Sequence, residues 1–263
     1  MTKTQTRIFA AGLMIVVLLA AMFVISPRAQ AADVEVWNGD VATKFAGGTG
    51  TKDDPFIISN GAELAYFSKS VMYNYYYDQY VSLTADIDLG NKPWIPIGDN
   101  GNFFVGVFDG NGHTISHVNV DSSGTKEVGL FGKTGDDNAD DSGTIKNLTV
   151  RNSTIIGGEN VGAVAGNARN VINCQSINNV VTGTRYVGGV CGQVNGSITR
   201  CYNTGSVTGE DSVGGVFGAA LYGENDKETY TVEECYNAGS VTGTVTGKPV
   251  GGVGGVVEYR DVS

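Results

Sequence analysis

Val187-Gly-Gly-Val-Cys-Gly192 and Val213-Gly-Gly-Val-Phe-Gly218 are the same phrase written twice, and the phrase recurs five times across residues 128–257. The other copies read Val128-Gly-Leu-Phe-Gly132, Val161-Gly-Ala-Val-Ala-Gly166 and Val250-Gly-Gly-Val-Gly-Gly255, with intervals between leading valines of 33, 26, 26 and 37 residues. A second phrase follows the middle three copies: Ile172-Asn-Cys-Gln-Ser-Ile-Asn-Asn-Val-Val-Thr-Gly183, Ile198-Thr-Arg-Cys-Tyr-Asn-Thr-Gly-Ser-Val-Thr-Gly209 and Val232-Glu-Glu-Cys-Tyr-Asn-Ala-Gly-Ser-Val-Thr-Gly243. Self-similarity at this spacing marks a repeat architecture, in which each unit buries its apolar face only against its neighbours.

The apolar runs are short, β-branched and punctuated by Gly, Asn, Ser and Thr. None keeps a helical 3.6 period for a dozen residues, which excludes the helical solenoids. Short strands joined by tight turns, one round per 26 residues, predict a right-handed, single-stranded parallel β-helix with three strands per coil, each coil adding roughly 4.8 Å. Glycines inside Val-Gly-Gly-Val predict bends or close backbone approach. The longer intervals place insertions at Lys133–Ser142 and Leu221–Thr229.

The repeated Val-Gly-Gly-Val-Phe-Gly phrase, with its Cys-Tyr-Asn-x-Gly-Ser-Val-Thr-Gly partner, resembles the GLUG motif of bacterial surface and secreted proteins, over about half the chain. That family includes non-catalytic repeat regions of large IgA-cleaving metallopeptidases. The resemblance implies a bacterial, extracytoplasmic, non-catalytic repeat protein. The segment Gly50-Thr-Lys-Asp-Asp-Pro-Phe-Ile-Ile-Ser59 similarly looks like the entry ahead of such repeats. Phe108-Asp-Gly-Asn-Gly-His-Thr-Ile115 resembles a first coil of parallel β-helices, polysaccharide-active ones included.

Residues 1–31 read as a targeting segment: Lys3 and Arg7, an apolar run from Ile8 to Ile25, then Ala29-Gln30-Ala31 as a cleavage site. The run of 18 residues also reaches the lower edge of a membrane span, so an uncleaved N-terminal anchor is the alternative. Residues 32–80 form the lead-in and a cap helix, and residues 81–263 the β-helix. Removing residues 1–31 takes Lys3, Arg7 and Arg28 and no acid, leaving 14 basic against 27 acidic side chains, net −13. That balance argues against nucleic acid and anionic membrane as partners. It is compatible with loosely bound calcium, and no other cofactor is expected.

Cys174, Cys201 and Cys235 share one repeat position, while Cys191 stands where Phe131, Ala165 and Phe217 stand in other copies. Interchange with Phe and Ala predicts free, buried thiols. A bridge between Cys174 and Cys201 is the alternative, since neighbouring rungs lie within disulfide reach.

One helix is expected after the Pro55-Phe-Ile-Ile58 strand. Asn60 caps it, Glu63 completes a capping box, and Leu64, Phe67 and Val71 share a face. It would cover the open end of the first coil. Tyr73, Tyr75, Tyr76, Tyr77 and Tyr80 then offer two readings: a platform that stacks on sugar rings, or packing between cap and coil.

The chain carries no His-Glu-x-x-His and no Gly-x-Ser-x-Gly, so the peptidase activity of the resembling family does not carry over. Asp86, Asp88, Asp99, Asp109 and His113 are the dense candidates for glycosidic acid–base work, with no basic partner near them in sequence. Asp136, Asn138 and Asp140 alternate as calcium ligands do, but Asp141 stands where such a loop needs Gly, and a solvated acidic insertion fits them better. The expected function is a secreted or cell-surface module that binds a glycan or protein along stacked Asn, Thr and Tyr. The alternatives are a polysaccharide-active enzyme using Asp86, Asp88, Asp109 and His113, and a spacer within a larger surface protein. The last rung, followed only by Val256–Ser263, is expected to meet a further chain or partner.

Overall fold

A computed structural model describes residues 34–73, 78–135, 143–223 and 231–260. Glu35–Ser263 is a compact unit by itself. It is a parallel β-helix in which each full round contributes one strand to each of five sheets. One round runs Asn170–Ile172, Gln175–Ile177, Val180–Thr182, Arg185–Gly188 and Cys191–Val194, and every named strand pair is parallel, apart from one antiparallel bridge between Gly47 and Ile57.

The coil therefore carries five strands rather than the three expected from the sequence. The cause lies in the backbone. Asn147 and Asn173, Asn152 and Asn178, and Asn160, Tyr186 and Ser212 all sit at φ between 50° and 58°. Asn147, Asn152, Asn173 and Asn178 each turn the chain directly after a three-residue strand, so what looks like one apolar segment is two strands around a bend, whereas Asn160, Tyr186 and Ser212 lie one residue inside their own strands and interrupt the register there. Asn tolerates that region because its short polar side chain bonds locally. Tyr186 and Ser212 adopt it where they follow Asn160 in register.

The valines stack as the repeat requires. Val128 pairs with Val161, Val161 with Val187, Val187 with Val213 and Val213 with Val250. In Thr144–Lys146, Thr149–Arg151 and Thr154–Ile156 the central side chain points inward, and these with Val128, Val161, Val187 and Val213 belong to one continuous core. Most residues of the two insertions lie outside the described ones. Phe131, Ala165, Cys191 and Phe217 are register partners, so Cys191 fills a slot that takes Phe or Ala elsewhere.

The interior also holds amides. Asn203, fully buried, accepts from Gly205 N–H at 3.0 Å and donates to Gly205 C=O at 3.2 Å and to Asn237 Oδ1 at 2.9 Å. Asn203→Ala would leave the Gly205 groups without these partners inside the core. It is expected to cost about 3 kcal/mol in urea unfolding; a loss below about 1 kcal/mol would show that the amide contributes little.

Helix α1, Gly61–Met72, starts where the capping pattern places it. Asn60 Oδ1 accepts from Glu63 N–H at 3.0 Å, and Glu63 Oε2 accepts from Ser59 N–H at 2.7 Å, one residue earlier than a capping box would return. Leu64, Phe67 and Val71 are buried in the common core. The lead-in is woven into the same unit: Phe56–Ile58 is the outermost strand of the seven-stranded sheet, paired with Tyr80–Leu83.

Candidate functional site

The carboxylates singled out by sequence are distributed in pairs. Ile87 and Ile115 point inward, which turns Asp86 and Asp88 outward on one rung. Asp86 Oδ1 meets His113 Nδ1 at 3.1 Å and accepts from Thr114 N–H at 3.0 Å. Asp88 Oδ1 meets His117 Nδ1 at 2.8 Å and accepts from Gly90 N–H at 2.8 Å. Asp99 accepts from Gly101 and Asn102 N–H groups, both at 2.7 Å, and so closes a turn.

Asp109 corrects the expectation that no basic partner is near. Lys146, on the next rung, lies 3.2 Å away, and Asn147 Nδ2 and Asn111 N–H donate to Oδ1 at 2.9 and 2.8 Å. Burial pushes the Asp109 carboxyl up, but the bonds from Asn147, Asn111 and Lys146 outweigh it and hold it below its ordinary value. A glycosidic general acid needs the opposite shift near neutral pH. Sequence reading missed Lys146 because the contact crosses a rung.

The four cysteines are free. Cys174 N–H donates to Cys201 Sγ at 3.4 Å, and the Cys174, Cys201 and Cys235 thiols bond to carbonyls of their own rung and the one before it. Contact with the Cys174 thiol, then burial, pushes Cys201 up; contact with Cys201, then burial, does the same to Cys235; burial alone dominates at Cys191. Thiols held this far from thiolate are poor nucleophiles.

Tyr75, Tyr76 and Tyr77, and the Asp136, Asn138 and Asp140 set, lie outside the described residues. Tyr80 is half-buried at the head of its strand. Among the described residues no three His, Cys, Asp or Glu side chains are placed to hold a metal ion.

The outward aromatic row lies elsewhere. Thr114, Thr149, Gln175, Tyr202 and Tyr236 are successive register partners on one sheet. Tyr202 and Tyr236 stack with centroids 4.8 Å apart and rings inclined by 8°. The Tyr202 hydroxyl donates to Gln175 Oε1 at 2.6 Å, and Thr149 Oγ1 donates to the same oxygen at 3.3 Å. Tyr236 is 54% exposed. Burial, then Tyr236, raises the Tyr202 phenol, against the pull of Arg151. Beside the row runs an open groove of about 340 Å³ lined by Asn178, Thr204, Ser206 and Ser240. The signal was in the sequence: in Cys-Tyr-Asn, a buried Cys and a buried Asn flank the Tyr, and period-two alternation puts that Tyr outside.

No protein-family model matches the chain. Half of it, 51%, is similar to two much longer proteins: halomucin of Haloquadratum walsbyi, 34% identical over 148 residues, and a protein of Evansella cellulosilytica named "Putative Gly-rich membrane protein", 36% identical over 138 residues. The matched stretch spans 2% and 15% of those relatives. Among solved structures, a Bacteroides ovatus chain described as "a putative immunoglobulin A1 protease" superimposes with a TM-score of 0.52 at 19% identity, covering 82% of this chain and 87% of that one. At that identity the likeness is one of fold, and it is the fold described above.

Proposed function

We propose that the chain is a non-enzymatic, extracytoplasmic repeat module, at a bacterial surface or secreted, that holds a glycan or an extended protein segment along its outward row. The observation that carries this is the Thr149–Gln175–Tyr202–Tyr236 row with the polar groove next to it. Stacked phenols present ring edges and hydroxyls at the rung spacing to a ligand lying along the row. The names of the relatives support a surface setting, as does the GLUG-like phrase. No helix among the described residues is long and apolar enough to cross a membrane, and the apolar run 8–25 lies outside them.

The test exposes Ala32–Ser263 to an array of bacterial and host polysaccharides and matrix glycoproteins, with calcium and with chelator, read for retained protein and for released sugar ends. Retention without release is expected, and Tyr202→Ala with Tyr236→Ala should weaken it about tenfold or more, as loss of an aromatic anchor does. Retention that ignores both substitutions would remove the row from the reading. Sugar release that disappears in Asp109→Asn would replace the binding module by an enzyme acting at Asp86, Asp88, Asp109 and His113. Silence on both channels would favour a spacer.

A further inference from the structure

Both tryptophans of the chain, Trp37 and Trp94, line one pocket of about 470 Å³ at the end of the solenoid that carries α1. They meet edge to face at 5.8 Å. Val41, Met72 and Ile95 add aliphatic wall, Tyr73 a third aromatic ring, and Lys69 is the one charged side chain lining it. Three polar handles of the wall are engaged: Trp37 Nε1–H donates to Asp40 C=O at 2.7 Å, Trp94 Nε1–H to Leu130 C=O at 3.1 Å, and Ser68 Oγ–H to Ile95 C=O at 3.1 Å. The cavity is thus lined mainly by aliphatic and aromatic surface, with the Tyr73 phenol and the Lys69 side chain at its wall.

The apolar surface continues out of the mouth. Ile95 is 71% exposed and Val41 48%. Large apolar side chains left this open around a cavity of ligand size mark a binding surface more often than an accident of folding. Lys92 adds a second cation near the mouth, its stem beside Gly39 of the pocket lining. In a chain of net charge −10, two lysines beside an apolar mouth select an anionic head.

We propose that this pocket binds a single acyl chain ending in an anionic head, with the hydrocarbon laid against Trp37, Trp94 and Met72 and the head beside Lys69. The chemistry is that of a fatty acid anion: burial of methylenes supplies affinity and the ammonium fixes orientation. Each two carbons removed from the chain should weaken binding roughly tenfold. The site is separate from the tyrosine row and does not depend on it.

Because the only two tryptophans line the pocket, intrinsic fluorescence reads it directly. Ala32–Ser263 would be titrated with bromine-substituted stearate, which quenches indoles it touches, and with its methyl ester. Saturable one-to-one quenching is expected. Ile95→Asp, at an exposed position that leaves the fold intact, should weaken it about tenfold by setting a charge against the chain. Lys69→Glu should weaken the anion about fivefold and leave the ester unchanged. Absence of saturable quenching, or quenching that Ile95→Asp does not alter, overturns the proposal. So does quenching by brominated anionic vesicles without quenching by the free anion, which would assign the surface to a bilayer.

Discussion

Gly188→Ala is expected to destabilise the solenoid by about 3 kcal/mol or more, the upper end of what overpacking costs. A methyl group on Gly188 would run into Cys191 C=O of its own rung, and would lie 2.6 Å from Phe217 Cα and 2.7 Å from Gly218 N of the next. These are backbone atoms, so no rotamer change can relieve the contact. The rungs themselves would have to separate, and they are held by ladders on both sides: Gly188 is the register partner of Gly162 and of Gly214. A methyl group on Gly162 would likewise lie 2.6 Å from Cys191 Cα and 2.7 Å from Gly192 N, so the second position of the Val-Gly-Gly-Val phrase is glycine for close approach and not for a special φ. Gly252 supplies the control. A methyl group there meets nothing within 4 Å, and Gly252→Ala should stay within about 0.5 kcal/mol of the parent. Urea unfolding followed by far-ultraviolet circular dichroism checks both. A Gly188→Ala midpoint equal to that of Gly252→Ala would mean the rungs can part at little cost.

The same stacking explains why so much of the architecture was legible. A solenoid rung is buried by copies of itself, so a residue that fits one rung recurs at the same place in the next, and the valine phrase, the cysteine column and the Phe131–Ala165–Cys191–Phe217 slot all follow. The number of strands per coil was not legible, because left-handed corners are set by the rung below as much as by the residue. Asn147 and Asn173 announce such a corner, but Arg200 and Glu234 occupy the same place on the next two rungs without any turn signature. Contacts across rungs were equally hidden, as Lys146 on Asp109 shows. The pocket was invisible for a further reason: Trp37, α1 and the Pro93-Trp94-Ile95 turn are brought together only by the fold. The Tyr202–Tyr236 stack lay in plain sight in the repeated Cys-Tyr-Asn, where alternation within the phrase, applied residue by residue, turns the Tyr outward.

Phe67→Ala is the second large effect expected, about 3–5 kcal/mol, and unlike the glycine substitution it should act at one end. Phe67 is fully buried on α1. Its ring stands edge to face with Phe104 at 5.2 Å and near-parallel to Phe108 at 5.9 Å, and Phe108 in turn meets Phe131 at 5.0 Å. Truncation removes the ring's transfer free energy and leaves a cavity that surrounding aromatic rings cannot collapse into, since their own partners hold them. The helix is then retained chiefly by Leu64, Val71 and the Ser68 hydroxyl on Ile95 C=O. In a solenoid each rung is stabilised by its nearest neighbours, so loss at the cap should propagate only as far as coupling between rungs allows. Hydrogen exchange is accordingly expected to quicken at Phe56–Ile58, Tyr80–Leu83 and Val107–Asp109 while Arg185–Gly188 and Asp211–Gly214 keep their protection. With α1 loosened, the apolar surface it shares with Phe104 and Phe108 becomes exposed, and Phe67→Ala should aggregate at concentrations where the parent does not. Uniform loss of protection along all rungs would show instead that the solenoid unfolds as one cooperative block, and that α1 is no more a cap than any other part of it.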